Sequence, residues 1–374
     1  MNNNARRGKG TSLLREITGR ARVSNEHLLQ RIGVFLERRK VLDGLLEAIV
    51  PDSTPRSAGA SSGLILFDAH VVRTSGAKHI LPLVFRYDLG GAFFFQYDLV
   101  PQFYVMRALE RADFPAPRAI LLDEDGEVAG RPGLFMHRVI APPPGGQPLA
   151  EGPLAEAQPD DRHAMILNTV RTLTKLHTLS IETLDLGFLN RRGRGNHFIE
   201  RALEWDSAEL LHAIPPSFGE KRRSFYNDVR ANLLKIHDVL LRAAPTRRQP
   251  QLAHGDTNLS NVMFRGTEVE ALLDWELCHL GLGEADLAYC IAGIAHFLFR
   301  LPPLRGIPSE AEMIEAYRDK HEELLDWEFC RLWGEWRLAV YQSIAFSRLP
   351  PQMTELEEAY WNHARERLAQ FVPL

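Results

Sequence analysis

The feature that most constrains this chain is a change in the period of its apolar residues. Up to about residue 140, they fall in short alternating runs: LILFDAHVV (64–72), ILPLVFR (80–86), AILLDE (119–124) and GLFMHRV (133–139). A two-residue period suits half-buried strands, and turn signals at Ser75-Gly76 and Asp125-Gly126 separate the runs. From about residue 155 the spacing becomes three and four, which is helical, apart from short strand signals near 251–276. The stretch APPPGGQP (141–148) lies between the two regimes and reads as a linker. Such a chain is expected to be α+β, with a strand-rich lobe and a helix-rich lobe facing a cleft. Two helices are expected in the first part, over 25–50 (Leu28, Ile32, Phe35, Leu36, Leu42, Leu45, Leu46, Ile49) and over 98–112.

Bulk properties exclude several classes. The 374 residues carry a net charge of -4, so no basic surplus invites nucleic acid or an anionic membrane surface, and neither is expected as a partner. Three scattered cysteines are too few for a disulfide framework or zinc knuckle, which fits a reducing, cytoplasmic setting. The longest apolar run, 288–299, contains His296 and is too short to span a bilayer, so it reads as a buried helix. Residues 1–24 are basic with no apolar signal core, and are expected to form a poorly ordered tail.

The chemistry concentrates in LAHGDTNLSNVMFRGTEVEALLDWELCHLG (252–281). VMF and VEALLD flank a turn at Arg265-Gly266-Thr267 and predict a short hairpin. One hairpin then brings Asp256, Asn261 (five residues on), Asp274 (at the second strand's end) and Glu276 to the same edge. Phosphoryl transfer from a nucleotide needs such a set. One carboxylate orients the attacking hydroxyl and accepts its proton, while an amide oxygen and a second carboxylate hold Mg²⁺ through hard oxygen ligands.

HGD-x4-N followed by a strand ending in LDWE resembles the aminoglycoside phosphotransferase / choline kinase-like family, which shares the protein-kinase fold. The likeness is closest to the branch related to the kinase domain fused to some acyl-CoA dehydrogenases. It covers about Ser57 to Arg348 and implies a bilobal protein-kinase-like fold: an antiparallel-sheet lobe at 25–140 and a larger, mainly helical lobe at 141–374. It also implies ATP and Mg²⁺ as cofactors and, in either a monomer or a homodimer, a small-molecule hydroxyl acceptor. Asp256 is then the catalytic base, Asn261 and Asp274 bind Mg²⁺, Glu276 is a second-metal or outer carboxylate, and His254 is a structural hydrogen-bonding residue.

In the first lobe, Ser57, Gly59 and Ser61 of SAGASSG stand where the family has its phosphate loop. Arg86 takes the place of the basic residue that reaches the nucleotide phosphates, and Met136 or Val139 that of the residue packing on the adenine. Gln102 replaces the glutamate that usually pairs with the basic residue, so the salt bridge is lost and only an amide acceptor remains. That departure supports a rival reading as a non-catalytic nucleotide-binding regulator.

The expected acceptor is a hydroxyacyl-CoA, a phenolic compound or another hydroxylated metabolite, with an aminoglycoside or macrolide antibiotic as the alternative. Over 185–250 there are 12 Lys/Arg against 8 Asp/Glu, an excess that weakly disfavours polycationic antibiotics. The late-helix segment WGEWRLAVYQSIAF offers Trp336, Arg337 and Tyr341 as substrate neighbours.

LLDWE recurs at 324–328 without HGD, asparagine or hairpin nearby. Asp326 and Glu328 are therefore expected at a solvated helix start or N-cap beside a packed tryptophan. That helix should follow a capping box at Ser309 and Glu312. His177 is expected to be a buried structural residue and Asp286 an N-cap supporting the active-site loop. His279 beside Asp274 leaves a metallohydrolase as a weaker alternative.

Overall fold

The structure, a computed structural model, describes residues 25–52, 62–90, 94–191, 195, 197–212, 219–299, 301–318, 323–347 and 354–373. Ser57, Gly59 and Ser61 lie outside them. Two compact units divide the chain: residues up to Arg107 with Pro117–Val139, and Ala108–Ala116 with everything from Ile140 onward.

The first unit is built on one antiparallel sheet: β1 (Leu45–Pro51), β2 (Ser62–Val72), β3 (Lys78–Asp88), β4 (Ala119–Asp123) and β5 (Gly133–His137), in the order β1-β2-β3-β5-β4. β2 and β3 pair along their whole length, from Ser62 opposite Asp88 to Val72 opposite Lys78. Alternation puts Ile65, Phe67, Ala69 and Val71 on one face beside Leu83, Phe85 and Phe135. Leu28, Ile32, Phe35 and Leu36 of α1 (Asn25–Arg39) cover that face. Each large side chain buried there is worth on the order of 2 kcal/mol. Behind β5, Arg138 forms ion pairs with both Asp52 and Asp68.

The helix expected over 25–50 is only partly present. α1 ends at Arg39, Lys40 turns left-handed (φ 50°) and Gly44 follows at φ 138°, before β1 begins. A Cβ on Gly44 would lie 2.5 Å from the Val72 carbonyl, so glycine is required where the chain enters the sheet. Leu42, Leu45, Leu46 and Ile49 keep the helical spacing i, i+3, i+4, i+7, but pairing with β2 draws the chain from Leu45 onward into a strand that leaves Leu45 71% exposed.

The second unit takes the end of α2 (Leu99–Arg111), then a single turn α3 (Pro153–Glu156), α4 (Pro159–His177), α5 (Phe198–His212) and α6 (Glu220–Ala243). The strands β6 (Gln251–Ala253) and β9 (His279–Gly281) pair with each other, and β7 (Val262–Arg265) and β8 (Glu268–Leu272) form the expected hairpin. α7 (Gly283–Leu298), α8 (Glu310–Arg318), α9 (Trp327–Ser347) and α10 (Thr354–Leu368) complete it. α9 and α7 approach closely at Gly334, where a Cβ would meet the Ala288 backbone at 2.7 Å. Among the described residues no helix is long and apolar enough to cross a membrane.

The capping box forms as expected: the Ser309 N–H donates to Glu312 Oε2 (2.8 Å) and the Glu312 N–H to Ser309 Oγ (3.3 Å). The second LLDWE is the solvated helix start expected of it, except that its tryptophan is not packed. α8 stops at Arg318, Asp326 precedes α9, and its carboxylate meets Arg248 at 3.1 Å. Trp327 is only half-buried, whereas Trp275 in the first copy is 1% exposed. The two copies share a local conformation all the same. Asp274 (φ 65°) and Asp326 (φ 54°) are both left-handed, and a helical turn starts on the tryptophan after each. Aspartate tolerates that backbone better than most residues, so the repeated letters encode a repeated turn.

Candidate active site

The hairpin and the loop before it are tied together residue by residue. Gly255 is left-handed (φ 84°), and a Cβ there would lie 2.2 Å from the Leu277 carbonyl. The loop can therefore pass this close to the 275–277 turn only with glycine in HGD. His254 is buried, its ring 4.5 Å from that of Trp275. Its Nε2–H donates to the Leu273 carbonyl (2.8 Å), and its Nδ1 accepts the Asp256 N–H (3.2 Å). The Leu273 N–H donates in turn to the Asn261 carbonyl (2.7 Å). The residue before Asp274 is thus held on both sides by the loop that carries Asp256 and Asn261. His254 is structural, as expected.

Asn261 ends a short 3-10 turn, Leu259–Asn261, whose N-cap Asn258 accepts the Ser260 N–H. Its Nδ2 donates to Asp256 Oδ2 at 2.8 Å, which leaves its Oδ1 for other partners. The Tyr289 hydroxyl donates to Asp256 Oδ1 at 3.0 Å. Burial pushes the Asp256 carboxyl above the ordinary carboxylate range; the nearby Asp274 charge adds to this, while His254, Tyr289 and Asn261 oppose it. Asp274 and Glu276 are both half-buried, the first just beyond β8 and the second in the 3-10 turn Trp275–Leu277.

Asp286, on α7, braces this loop. Oδ2 accepts the His254 N–H (2.6 Å), Oδ1 accepts the Gly255 N–H (3.1 Å), and Thr257 Oγ1 donates to the Asp286 carbonyl (2.7 Å). Burial alone would raise its carboxyl, but the hydrogen bond and charge of His177, with His254 and His279 beyond, hold it at about 2. The expected N-cap role is not seen, because the N-cap of α7 is Leu282; the expected support of the loop is. His177 is buried between Asp286 (3.2 Å) and the Tyr317 hydroxyl (2.8 Å).

The set suits a magnesium–phosphate centre better than a zinc site. Among the described residues no group of three or more His, Cys, Asp or Glu side chains could hold a metal ion. His279 is committed elsewhere, its Nδ1 to the Leu277 carbonyl and its Nε2 to Arg337. The Asn261 amide oxygen and the Asp274 and Glu276 carboxylates are hard donors. Magnesium usually takes one or two carboxylates, with waters and substrate phosphates completing its shell.

In the first unit, Arg86 is buried on β3 and its Nε donates to Ser62 Oγ (2.7 Å). Gln102 is 1% exposed; its Nε2 donates to the Asp98 carbonyl, and its Oε1 has no hydrogen-bond partner among the described residues. The amide therefore does not replace the missing salt bridge to Arg86. Met136 is half-buried on β5, opposite Val84, and Val139 is half-buried just after that strand. Of the substrate candidates in the second unit, Trp336 is fully buried, with its N–H given to the Leu233 carbonyl (2.8 Å). That makes it a core residue. Arg337 and Tyr341 line a recess with Phe198, Trp205, Asp206 and His279. Asp206 there accepts from Arg337 Nε and from the Tyr341 hydroxyl, both at 2.8 Å. Asp206 carries no spacing signal in the sequence, and for Tyr289 the one signal is its position three residues after Asp286.

Known proteins place this chain in a class. The profile of the phosphotransferase enzyme family matches residues 96–333, and the chain belongs to that family. It is similar to acyl-CoA dehydrogenase family member 11 of Homo sapiens, 26% identical over 298 residues covering 75% of this chain and 34% of that protein. The same-named protein of Gallus gallus is 30% identical over 196 residues, 50% of this chain and 22% of that one. The chain thus spans about a third or less of these curated relatives. Among solved structures it is similar to a Ralstonia eutropha protein provisionally named an aminoglycoside phosphotransferase (TM-score 0.62, 21% identity, 90% of this chain and 98% of that one). It is also similar to the ethanolamine kinase of Plasmodium vivax (TM-score 0.59, 12% identity, 98% and 95%). These likenesses establish the kinase-like α+β fold expected from the sequence.

Proposed function

We propose that this chain moves the γ-phosphoryl group of ATP to a hydroxyl of a small molecule. Asp256 orients the acceptor hydroxyl and takes its proton as the oxygen bonds to phosphorus and ADP leaves. Asn261, Asp274 and Glu276 would hold Mg²⁺, which when bound neutralises charge on the phosphates. Arg86 is assigned to the phosphates, and Met136 and Val139 to the adenine. The observation that supports the reading is the Asn261–Asp256 hydrogen bond at 2.8 Å, with Leu273, the residue before Asp274, tied to the loop that carries both.

A hydroxylated acyl-CoA or phenolic acceptor fits better than a polycationic antibiotic. The relatives' names point to acyl-CoA metabolism. In the recess beside Tyr341, the buried Asp206 carboxylate is already neutralised by Arg337, so no uncompensated anion awaits a cation. Purified protein supplied with ATP, Mg²⁺ and a panel of hydroxyacyl-CoA and phenolic compounds, with kanamycin beside them, is expected to turn over on the panel, and Asp256→Ala is expected to abolish transfer. An Asp256→Ala enzyme as active as wild type would refute the mechanism. Tight nucleotide binding without turnover across the panel would favour a regulatory role, and transfer to kanamycin alone a resistance role.

A further inference from the structure

Tyr289 lies on α7, three residues after Asp286, so the two side chains share one face of the helix. Both reach the 254–256 loop. Asp286 holds the backbone N–H groups of His254 and Gly255, and Tyr289 holds the side chain of Asp256. One helix face thus grips the backbone and the carboxylate of the same tripeptide.

A carboxylate with a single donor turns easily about its Cβ–Cγ bond, because that torsion is broad. Asp256 has two donors from different elements: Tyr289 on Oδ1 at 3.0 Å and Asn261 on Oδ2 at 2.8 Å. Together they fix the carboxylate plane and use one acceptor site on each oxygen, which leaves the remaining lone pairs for other donors. Tyr289 is itself constrained, being 3% exposed with its ring edge-on to Tyr341 at 6.1 Å and 63°. Burial, and then the Asp256 charge, push its phenol well above its usual range, so it stays a donor at neutral pH.

We propose that Tyr289 is a positioning residue: through its hydroxyl it fixes the plane in which Asp256 presents its free lone pairs to the acceptor. The inference rests on the reading of Asp256 as the base. Hydrolysis of Mg-ATP, with water as acceptor, tests both without a known substrate. Asp256→Asn should abolish hydrolysis. Tyr289→Phe should lower kcat by about ten- to a hundredfold, as expected for losing one hydrogen bond to a charged group, with KM for ATP little changed. Replacement by p-aminophenylalanine, which keeps a donor at the same place, should restore most of the rate. Replacement by p-methylphenylalanine keeps the volume without a donor and should match Phe, which covers the case of a Phe variant that folds poorly.

A dead Asp256→Asn beside a fully active Tyr289→Phe overturns the inference and leaves the reading intact. A fully active Asp256→Asn overturns both. A rise in KM for ATP at unchanged kcat in Tyr289→Phe also overturns the inference. One readout needs no turnover: protein carrying isotope-labelled tyrosine should show a slowly exchanging hydroxyl proton that is lost in Tyr289→Phe and displaced in Asp256→Asn. Its absence from the wild type would remove the hydrogen bond on which the proposal stands.

Discussion

Replacing Asp286 by alanine is the severest single test of how the His254-Gly255-Asp256 loop is held. The carboxylate accepts two backbone N–H groups, from His254 and Gly255, and meets His177 Nε2 at 3.2 Å; Asp286 itself is fully buried. Alanine leaves two buried amides without acceptors. Each orphaned donor costs about 1–3 kcal/mol, so roughly 4 kcal/mol is expected to be lost. That is a large share of a typical total of about 5–15 kcal/mol. Asparagine keeps the volume and one acceptor oxygen, so about half the loss is expected.

The pH dependence has a definite sign. The folded carboxyl is held at about 2 against an ordinary value of 3.8. Its contribution is therefore fully present above pH 3.8 and disappears as pH falls through 2. The shift corresponds to about 2 kcal/mol. Urea unfolding followed by tryptophan fluorescence, at neutral pH and in steps down to acid, gives all three quantities. The gap between wild type and Asp286→Asn should narrow by about 2 kcal/mol between pH 4 and pH 2. An Asp286→Ala protein with the wild-type midpoint and slope, or a gap that stays constant with pH, would refute the reasoning.

The two left-handed aspartates should separate in a direct comparison. Asp326→Asn breaks a partly exposed ion pair with Arg248, should cost at most about 1 kcal/mol, and should leave transfer unchanged in a kinetic assay. Asp274→Asn keeps the backbone conformation but removes a proposed Mg²⁺ ligand, so calorimetry should show weakened Mg-ATP binding at near wild-type stability. Gly255→Ala forces an alanine Cβ to within 2.2 Å of a carbonyl at φ 84°, and thermal melts should show a loss of about 2–4 kcal/mol. His296, lowered to about 4 first by burial and then by His363 and Arg367, is neutral in the fold. Stability should therefore fall as pH drops from 6.5 towards 4, by up to about 3 kcal/mol, and His296→Phe should flatten that limb of the unfolding curve.

Much of the fold and of the site could be read from the letters because the signals were local. The hairpin around Arg265-Gly266-Thr267 and the HGD spacing lie within about thirty consecutive residues, and the period change is a sum of runs each of nine residues or fewer. What is harder to read is non-local. Arg337 meets Asp206 across 131 positions with nothing in either neighbourhood to announce it, and Tyr289 meets Asp256 across 33, hinted at only by its place one helical turn after Asp286. Residues 40–50 depart from their expectation for a different reason: four aliphatic side chains over eight positions have helical spacing, and pairing with the distant β2 overrides it. Trp336 looked like a pocket wall because tryptophan suits either a wall or a core, and its N–H had a hidden acceptor at Leu233. The second LLDWE reads as a solvated helix start and is one, but its letters do not announce the ion pair of Asp326 with Arg248, 78 positions away, and through that arginine with the buried Glu284.

Three consecutive amides of the His254-Gly255-Asp256 loop are all taken: two by Asp286 and the third by the His254 ring. In hydrogen-exchange terms this stretch, although neither helix nor strand, should be protected like the slowest core segments, because none of its protons is released by a local fluctuation. Its amides would then report the opening rate of the whole second unit. With Asp256 as the proposed proton acceptor, such a frame would keep it from drifting on the timescale of turnover, and a motion that limits the rate would then originate in other parts of the molecule.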